Sequence, residues 1–286
     1  MKPIKFRASK VNALMGQGNE LTEKQLALIA SYLDRQNKAL DGQAKPLTAS
    51  MEKDLKDLQE KKAQPFKFGK VAESMIKEMF RLQHFGYKEE VLNSVLLKGK
   101  LTEQDCIELI SLVWPENEFR EKNTQRLTNK WITGELDILL KTISTVEDVK
   151  SCWSLKTFMD VEAPDQIYID QAQSYLWLAN CKKFRLHYCL VPTPERIINS
   201  EIRRMSCHFG GPDKAEESDY FTELRDQIIH NNDVIKTIAP EDRVKTFLID
   251  RDNDRIKKIK HRCTLAQELA KAMVLNNTKA IQPKRI

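Results

Sequence analysis

Two neighbouring segments have the composition of core β-strands, yet both carry charged residues. They are "KWITGELDILLK" (130–141) and "TVEDVKSC" (145–152). Their alternation and their β-forming residues predict two strands joined by a hairpin. Asp148 and Lys150 are two positions apart and therefore share one face of their strand, with Asp137 on the preceding strand. This pattern predicts that two carboxylates and an ammonium group converge on one face of a sheet.

Such a convergence is costly unless something compensates it. Neighbouring carboxylates repel each other, and burial adds a desolvation cost. A divalent cation would remove the conflict, since Mg²⁺ takes hard oxygen ligands, usually one or two carboxylates with water and substrate phosphate. The Lys150 ammonium beside it would position a water and balance phosphate charge. The chemistry that these residues permit is metal-assisted attack of water on a phosphodiester. A lone D-x-K triplet is common and usually marks a solvated strand face, so further features are needed.

The remaining pattern predicts the elements around these strands. Thr22 and Gln25 fit a capping box at the start of one helix. Helices are predicted at about 22–40, 69–83, 102–114, 164–180, 219–230 and 252–276, and further strands at 117–123, 183–192 and 242–250. Residues 44–68 are expected to form a solvated helix or linker, and 207–219 a loop. The order predicts an α/β (α+β) fold with a mixed sheet packed between helices.

Composition limits the class of protein. A chain of 286 residues suits one elaborated domain or two. It has no apolar run near ~18 residues, and the start "MKPIKFRASK" lacks the apolar core of a signal peptide. We therefore expect a cytoplasmic protein with no membrane segment. The six cysteines include no CxxC pair and are expected to be reduced and mostly buried thiols. A net charge of +6 is compatible with a polyanionic partner without establishing one.

Two further residue pairs could serve the same chemistry. Gln171 and Tyr175 are four apart on a predicted helix and so share a face. The amide could orient a water or hold the lysine, and the phenol could reach a phosphate oxygen; alternatively, Tyr175 is a core residue and Gln171 an exposed one. Glu73 lies at the margin of the apolar stripe in "FGKVAESMIKEMF", where it could point toward the carboxylates or be an ordinary surface glutamate.

In order, these features form the motifs G-x-x-x-E, G-x-x-D, D-x-K and Q-x-x-x-Y. They stand at Gly69…Glu73, Gly134…Asp137, Asp148-Val149-Lys150 and Gln171…Tyr175. The set resembles the PD-(D/E)XK nuclease superfamily, specifically its RecB-like and lambda-exonuclease-like (YqaJ-type) branch. The resemblance implies a restriction-endonuclease-like core at 66–192, an N-terminal helical, substrate-contacting segment at 1–65 and a C-terminal helical extension at 193–286 that packs on the core.

The resemblance also implies a metal site. Asp137 and Asp148 look like the central ligands, with the backbone carbonyl of Val149 as a third contact and Glu73 as the helix-borne acidic ligand. The expected metal is Mg²⁺, with Mn²⁺ as a substitute. The cysteines that ligate a cluster in some relatives have no counterpart here, so an iron–sulfur cluster is not expected.

Catalytic and substrate-contacting roles follow from the same resemblance. Lys150 is similar to the catalytic lysine, and Gln171 and Tyr175 match the element that supports it and the substrate. The segment "FRASK" resembles the opening of phage-type members, so Ser9 and Arg7 could touch a phosphate, or could be an ordinary basic segment.

Two positions near these motifs are less defined. Glu135 stands where phage exonucleases often have a serine near the DNA end, and could be a further carboxylate near the metal or replace a phosphate contact. Lys156 could reach the DNA backbone.

The resemblance implies a Mg²⁺-dependent deoxyribonuclease, most simply an exonuclease in DNA end-processing or phage-type recombination. A restriction-type endonuclease and a non-catalytic DNA-binding protein that keeps the fold are the alternatives. The implied partners are linear duplex or single-stranded DNA, a recombinase, and further copies of the chain in a ring trimer. The basic stretch "RIKKIKHR" (255–262) could contact phosphates or be a solvated face, and Trp131, Trp153 and Trp177 could stack on bases or belong to the core.

Overall fold

The computed structural model describes residues 3–89, 93–114 and 120–280, with side chains up to residue 273. By its contacts the chain divides into two units: Ala13–Glu78, called here the helical unit, and Met1–Asn12 with Met79–Ile286, called the main unit. The three segments expected from the sequence, 1–65, 66–192 and 193–286, are not the units of this division, and they stay a prediction.

Helices form most of the described chain. They are α1 (Asn12–Met15), α2 (Glu23–Leu40), α3 (Ala49–Ala63), α4 (Lys70–Phe85), α5 (Ser94–Leu101), α6 (Glu103–Val113), α7 (Leu155–Met159), α8 (Gln166–Ala179), α9 (Glu195–Ser206), α10 (Pro212–Glu216), α11 (Asp219–Thr237) and α12 (Asn253–Ala280). Short 3₁₀ turns lie at Ala8–Lys10, Cys207–Phe209 and Pro240–Arg243. Within the described ranges, no helix combines the length and the apolar composition that a bilayer-spanning segment requires.

The strands form two sheets in the main unit. They are β1 (Phe6–Arg7), β2 (Arg126–Thr128), β3 (Ile132–Glu135), β4 (Ile138–Leu140), β5 (Thr145–Ser151), β6 (Lys183–Cys189) and β7 (Val244–Asp250). One sheet has the order β1-β3-β2, with β1 parallel and β2 antiparallel to β3. The other has the order β4-β5-β6-β7, in which only the central pair β5–β6 is parallel. The predicted α/β fold with mixed β-structure flanked by helices is therefore confirmed.

Strand β5 is buried on both faces, and this places the site. On one face Val149 packs with Cys106 and Ile110 of α6. On the other face Val146 packs with Ala172 and other residues of α8. Because side chains alternate along a strand, Asp148 and Lys150 share the α8 face with Val146. The site therefore lies between the sheet and α8.

The helical unit has a small core of its own. Helix α2 begins at the predicted capping box, in which the Thr22 hydroxyl accepts from the Gln25 backbone and the Gln25 side chain accepts from the Thr22 backbone. Ile29, Leu47 and Leu55 form its buried cluster. The region predicted as a solvated helix or linker contains α3, in which Leu55 is the buried residue.

The predicted strand at 130–141 is wrong in one respect, because the chain breaks at 136–137 and gives β3 and β4 in different sheets. The break is stabilised from outside the strand. The backbone N–H of Asn123 donates to the carbonyl of Asp137 at 2.7 Å, and its side-chain amide donates to the carbonyl of Leu136 at 3.0 Å. These bonds satisfy backbone groups that a continuous ladder would otherwise use.

Other boundaries also differ from prediction. In the predicted strand 117–123, residues 117–119 lie outside the described residues and 120–123 are irregular, because buried Arg120 pairs with Glu147 instead of entering a ladder. Helices α5, α7 and α9 were not predicted, and 207–219 contains α10 rather than being all loop. Pro164 precedes α8 instead of lying in its first turn.

Candidate active site

The two motif aspartates lie side by side at the edge of the hairpin. Asp137 follows the break after β3, and Asp148 is in β5. The antiparallel pairing of β4 with β5 sets Ile138 opposite Glu147, which brings Asp137 beside the Asp148–Val149 segment. Oδ2 of Asp137 accepts a hydrogen bond from the backbone N–H of Val149 at 2.9 Å. The hairpin therefore achieves the convergence that the sequence spacing predicts.

Lys150 is ion-paired within this cluster. Its Nζ lies 2.5 Å from Oδ2 of Asp148 and 4.9 Å from the ring centroid of Tyr168. Burial acts to lower the pKa of Lys150, but the charges of Asp148 and Asp137 outweigh this and raise it. Lys150 is consequently an ammonium, a donor of hydrogen bonds rather than a base.

If both were ionised, the two carboxylates would carry more negative charge than Lys150 balances. Burial and then the neighbouring charge of Asp148 raise the pKa of Asp137 well above its usual range. Asp148 is 2% exposed, and its Oδ1 accepts from Nε2 of Gln171 at 3.0 Å. Within the described part of the chain, its Oδ2 accepts no well-aligned hydrogen bond, although Nζ of Lys150 is near. Repelling acidic groups with an incompletely satisfied oxygen are what a bound cation stabilises.

The donors fit a hard divalent cation such as Mg²⁺, which often uses one or two carboxylates. Asp137 and Asp148 would supply these oxygens. Among the residues that the structure describes, no three His, Cys, Asp or Glu side chains are grouped to hold a metal. Glu73 is half-buried in the first turn of α4, within the helical unit. Its role as a further ligand stays a prediction.

Helix α8 presents three polar side chains toward this cluster. Gln171 is buried and bonded to Asp148, so the alternative of an exposed glutamine does not apply. Tyr175 is also buried, and burial followed by the charges of Asp148 and Asp137 raises its pKa. Its phenol therefore stays protonated. Tyr168, one turn before Gln171, contacts Lys150; sequence reasoning missed it, although its spacing of three from Gln171 puts it on the same helix face.

Gly134 allows Tyr175 to approach the backbone of β3. A Cβ atom at this position would lie 2.7 Å from Cε1 of Tyr175 and 3.1 Å from Cβ of Ala8. The glycine of the G-x-x-D motif is thus required by a close approach of a ring to the main chain.

The other predicted substrate contacts lie outside the cluster. Glu135 is ion-paired with Arg126 at 2.6 Å, and Lys156 is exposed on α7 and paired with Asp160 at 2.6 Å. Ser9 is exposed in the 3₁₀ turn that packs on α8 and β3, and Arg7 is on β1. The described hydrogen bonds and ion pairs connect none of these four to the aspartates or to Lys150.

A second polar network occupies the opposite face of β5. The wholly buried Glu147 carboxylate accepts from Nε of Arg120 at 2.8 Å and from Nη1 of Arg185 at 2.9 Å. Burial would raise the pKa of Glu147, but the His187 ring, 3.7 Å away, and the hydrogen bonds from Arg120 and Arg185 lower it to about 2. This network anchors the strand from behind the site.

Solved structures share this fold. A phage-related exonuclease from Haemophilus somnus 129PT is 23% identical over 96% of this chain and 96% of its own, with a TM-score of 0.62. LHK-Exo, an alkaline exonuclease from Laribacter hongkongensis, is similar in its complex with dAMP, at 11% identity over 98% of this chain and 94% of its own, with a TM-score of 0.54. No protein-family model and no curated protein matches the sequence. The chain therefore has the fold of phage-related and alkaline exonucleases, and the resemblance found in its motifs is confirmed at the level of the fold.

Proposed function

We propose that this protein is a metal-dependent exonuclease that hydrolyses phosphodiester bonds of DNA. The observation that carries the proposal is the cluster of Asp137, Asp148, Lys150 and Gln171 between β5 and α8. The exonucleases that share the fold support it, and the dAMP complex of one of them supports a nucleic-acid substrate.

Asp137, Asp148 and the carbonyl of Val149 would hold Mg²⁺ or Mn²⁺, with Glu73 as a proposed further ligand. When bound, the cation would supply Lewis-acid polarisation of a phosphate oxygen and lower the pKa of a coordinated water. The Lys150 ammonium, fixed by Asp148 and by the Tyr168 ring, would orient the attacking water and balance charge on the phosphate.

The helix residues would have supporting roles. Gln171 fixes the orientation of the Asp148 carboxylate through its 3.0 Å hydrogen bond. The protonated phenol of Tyr175 would donate to a phosphate oxygen. Glu135, Ser9, Arg7 and Lys156 remain proposed contacts to DNA beyond the cleaved bond.

The test is hydrolysis of linear duplex and single-stranded DNA, labelled at either end, with and without Mg²⁺. We expect Lys150→Ala and Asp148→Asn to lower kcat on the order of 10²-fold or more, with an unchanged far-UV spectrum. Lys236→Ala is the matched control, since Lys236 is exposed and paired with Asp233. Activity that survives both Lys150→Ala and Asp148→Asn would exclude this assignment. Cleavage of closed circular DNA would instead favour a restriction-type endonuclease.

Metal binding has a separate readout. Calorimetry should detect Mn²⁺ or Mg²⁺ binding to the wild type and a large loss of affinity in Asp137→Asn, because one of the two carboxylates is removed. DNA affinity without any metal binding would instead indicate a non-catalytic DNA-binding protein with this fold.

The biological setting is proposed on the resemblance. A cytoplasmic role in DNA end-processing or phage-type recombination, with a recombinase partner, fits an exonuclease of this fold. A ring trimer would be detected by sedimentation equilibrium, and a monomer at all concentrations would exclude it.

A further inference from the structure

Two lysines and an indole ring form a patch away from the carboxylate pair. Nζ of Lys260, on α12, lies 4.6 Å from the ring centroid of Trp131, and Nζ of Lys130 lies 5.4 Å from it. Both lysines are exposed and Trp131 is half-buried. These three residues are called here the Trp131 patch.

The ring at the centre of the patch is fixed in place. Nε1 of Trp131 donates to Oγ1 of Thr264 at 3.0 Å, and the Trp177 ring packs against it with centroids 5.5 Å apart. Nε2 of Gln267 donates to the carbonyl of Lys130 at 3.1 Å. The loop before β3 is thereby bonded to α12, so the patch is built on ordered elements.

The charges of the patch are not neutralised by the protein. The distances to the shared ring limit the separation of the two ammonium groups to about 10 Å. No ion pair to either lysine occurs in the part of the chain that the structure describes, whereas Lys257 on the same helix is paired with Asp254 at 2.8 Å. One cation over an indole is a favourable cation–π contact. A second cation on the same ring adds like-charge repulsion, which an anion bound between them would relieve.

The position of the patch indicates which anion. Trp131 immediately precedes β3, three residues before Gly134, and so lies roughly 10 Å along the strand from it at about 3.3 Å per residue. Gly134 lies against the ring of Tyr175 on α8. On the same helix, Gln171 donates a hydrogen bond to Asp148. A DNA strand reaching the cluster carries a phosphate every 3.4 Å of helix axis, so it can extend from one to the other.

We propose that the Trp131 patch binds backbone phosphates of the DNA strand held by the site, which rests on the proposed nuclease function. The lysines contact phosphate oxygens, and the indole gives a nucleotide an apolar surface beside them. The patch thus lengthens the DNA footprint beyond the cleaved bond.

The test compares Lys260→Gln, Lys130→Gln/Lys260→Gln and the control Lys257→Gln. Affinity for a fluorescein-labelled linear duplex is measured in EDTA across a series of KCl concentrations. Removing each phosphate-contacting lysine should reduce the magnitude of the negative slope of log K against log salt by about 0.9, which is roughly an eightfold loss of affinity at 0.1 M salt. Lys257→Gln should change the slope less, since its charge is already paired. With Mg²⁺, the double variant should raise KM and leave kcat unchanged on a short duplex.

The outcomes separate the patch from the proposed function. Equal slopes for Lys260→Gln and Lys257→Gln, or a wild type that binds no DNA, would overturn the patch. DNA hydrolysis by the wild type with unchanged binding by the double variant would overturn the patch and keep the nuclease. Wild-type binding that depends on Lys130 and Lys260 without any hydrolysis would keep the surface and overturn the nuclease.

Discussion

Two residues near the site illustrate close packing against the backbone and the burial of a charged group. Gly134 lies under the Tyr175 ring, and Lys98 is an amine buried to 1% exposure. Nζ of Lys98 donates to the carbonyls of Cys152 at 2.7 Å and Trp153 at 3.1 Å, directly after the strand that carries Lys150. Both residues therefore shape the site without belonging to its chemistry.

Gly134→Ala is expected to destabilise the fold by about 1–3 kcal/mol, because the new methyl group would lie 2.7 Å from Cε1 of Tyr175. Gly99→Ala in α5 is the control. No heavy atom lies within 4 Å of a Cβ there, so alanine should stabilise the helix by about 0.5–1 kcal/mol. Urea unfolding of both variants measures the difference. If Gly134→Ala and the wild type had equal free energies of unfolding, the Tyr175 ring would move aside at no cost.

Lys98 should make stability depend on alkaline pH. Burial lowers its pKa from 10.5 to about 8. Between pH 8 and pH 10.5 the unfolded chain binds more protons at Lys98 than the folded chain does. The free energy of unfolding therefore rises with pH, by about 3 kcal/mol over that whole range. In Lys98→Met this rise is lost. Urea unfolding from pH 7.5 to 9.5 measures it, with exposed Lys156→Met as the control. A difference between wild type and Lys98→Met that does not change with pH would contradict the expectation.

At the scale of elements, β5 separates two charged networks. Asp148 and Lys150 face α8, whereas Glu147 faces Arg120 and Arg185 on the other side. The strand is therefore held behind the site by a buried ion network that contributes no group to it.

Glu147→Gln is expected to cost about 3 kcal/mol or more, because it leaves two guanidinium groups facing a neutral amide in a buried setting. Glu135→Gln removes the same charge from an exposed pair with Arg126 and should cost less than about 1 kcal/mol. Denaturant unfolding compares the two variants directly. Similar losses would mean that burial does not strengthen the Glu147 network.

Local signals account for the elements that the sequence predicted well. The capping box at Thr22, the alternation around Asp148 and the spacing of Gln171 and Tyr175 each depend on neighbours within a few positions. The break at 136–137 depends on Asn123, more than ten residues away, and the partner of Arg120 is Glu147. No local pattern encodes such contacts, which explains why one continuous strand was predicted where two occur.

At the scale of the whole molecule, pairing joins distant parts of the chain. Strand β7 pairs with β6, and Oγ1 of Thr246 lies 2.9 Å from Nδ1 of His187. Sequence order predicted the mixed sheet and the meeting of Asp137 with Asp148, because a hairpin is a local connection. Sequence order could not show that 244–250 completes the same sheet by pairing with β6. A strand partner that is distant in sequence leaves no periodic signal.

The two units are also expected to differ in local stability. Helix α3 buries one residue, Leu55, whereas β5 has five consecutive buried residues. Regions with few buried contacts open more readily. Amide hydrogen exchange should therefore be at least about tenfold faster in α3 than in β5 and β6, a difference of ~1.4 kcal/mol.

Leu55→Ala tests whether this opening is confined to the helical unit. The variant removes the buried side chain of α3, which packs in the cluster with Ile29 and Leu47. It should lower the free energy of opening measured by amide exchange in α3 by about 2–5 kcal/mol. The loss cannot exceed the helical unit's own free energy of unfolding. Exchange in β5 and β6 should stay as in the wild type. Leu186→Ala, in the core of the main unit, should instead accelerate exchange in the sheet. If Leu55→Ala accelerated exchange in β5 to the same extent as in α3, the two units would unfold together, and the helical unit would have no separate opening.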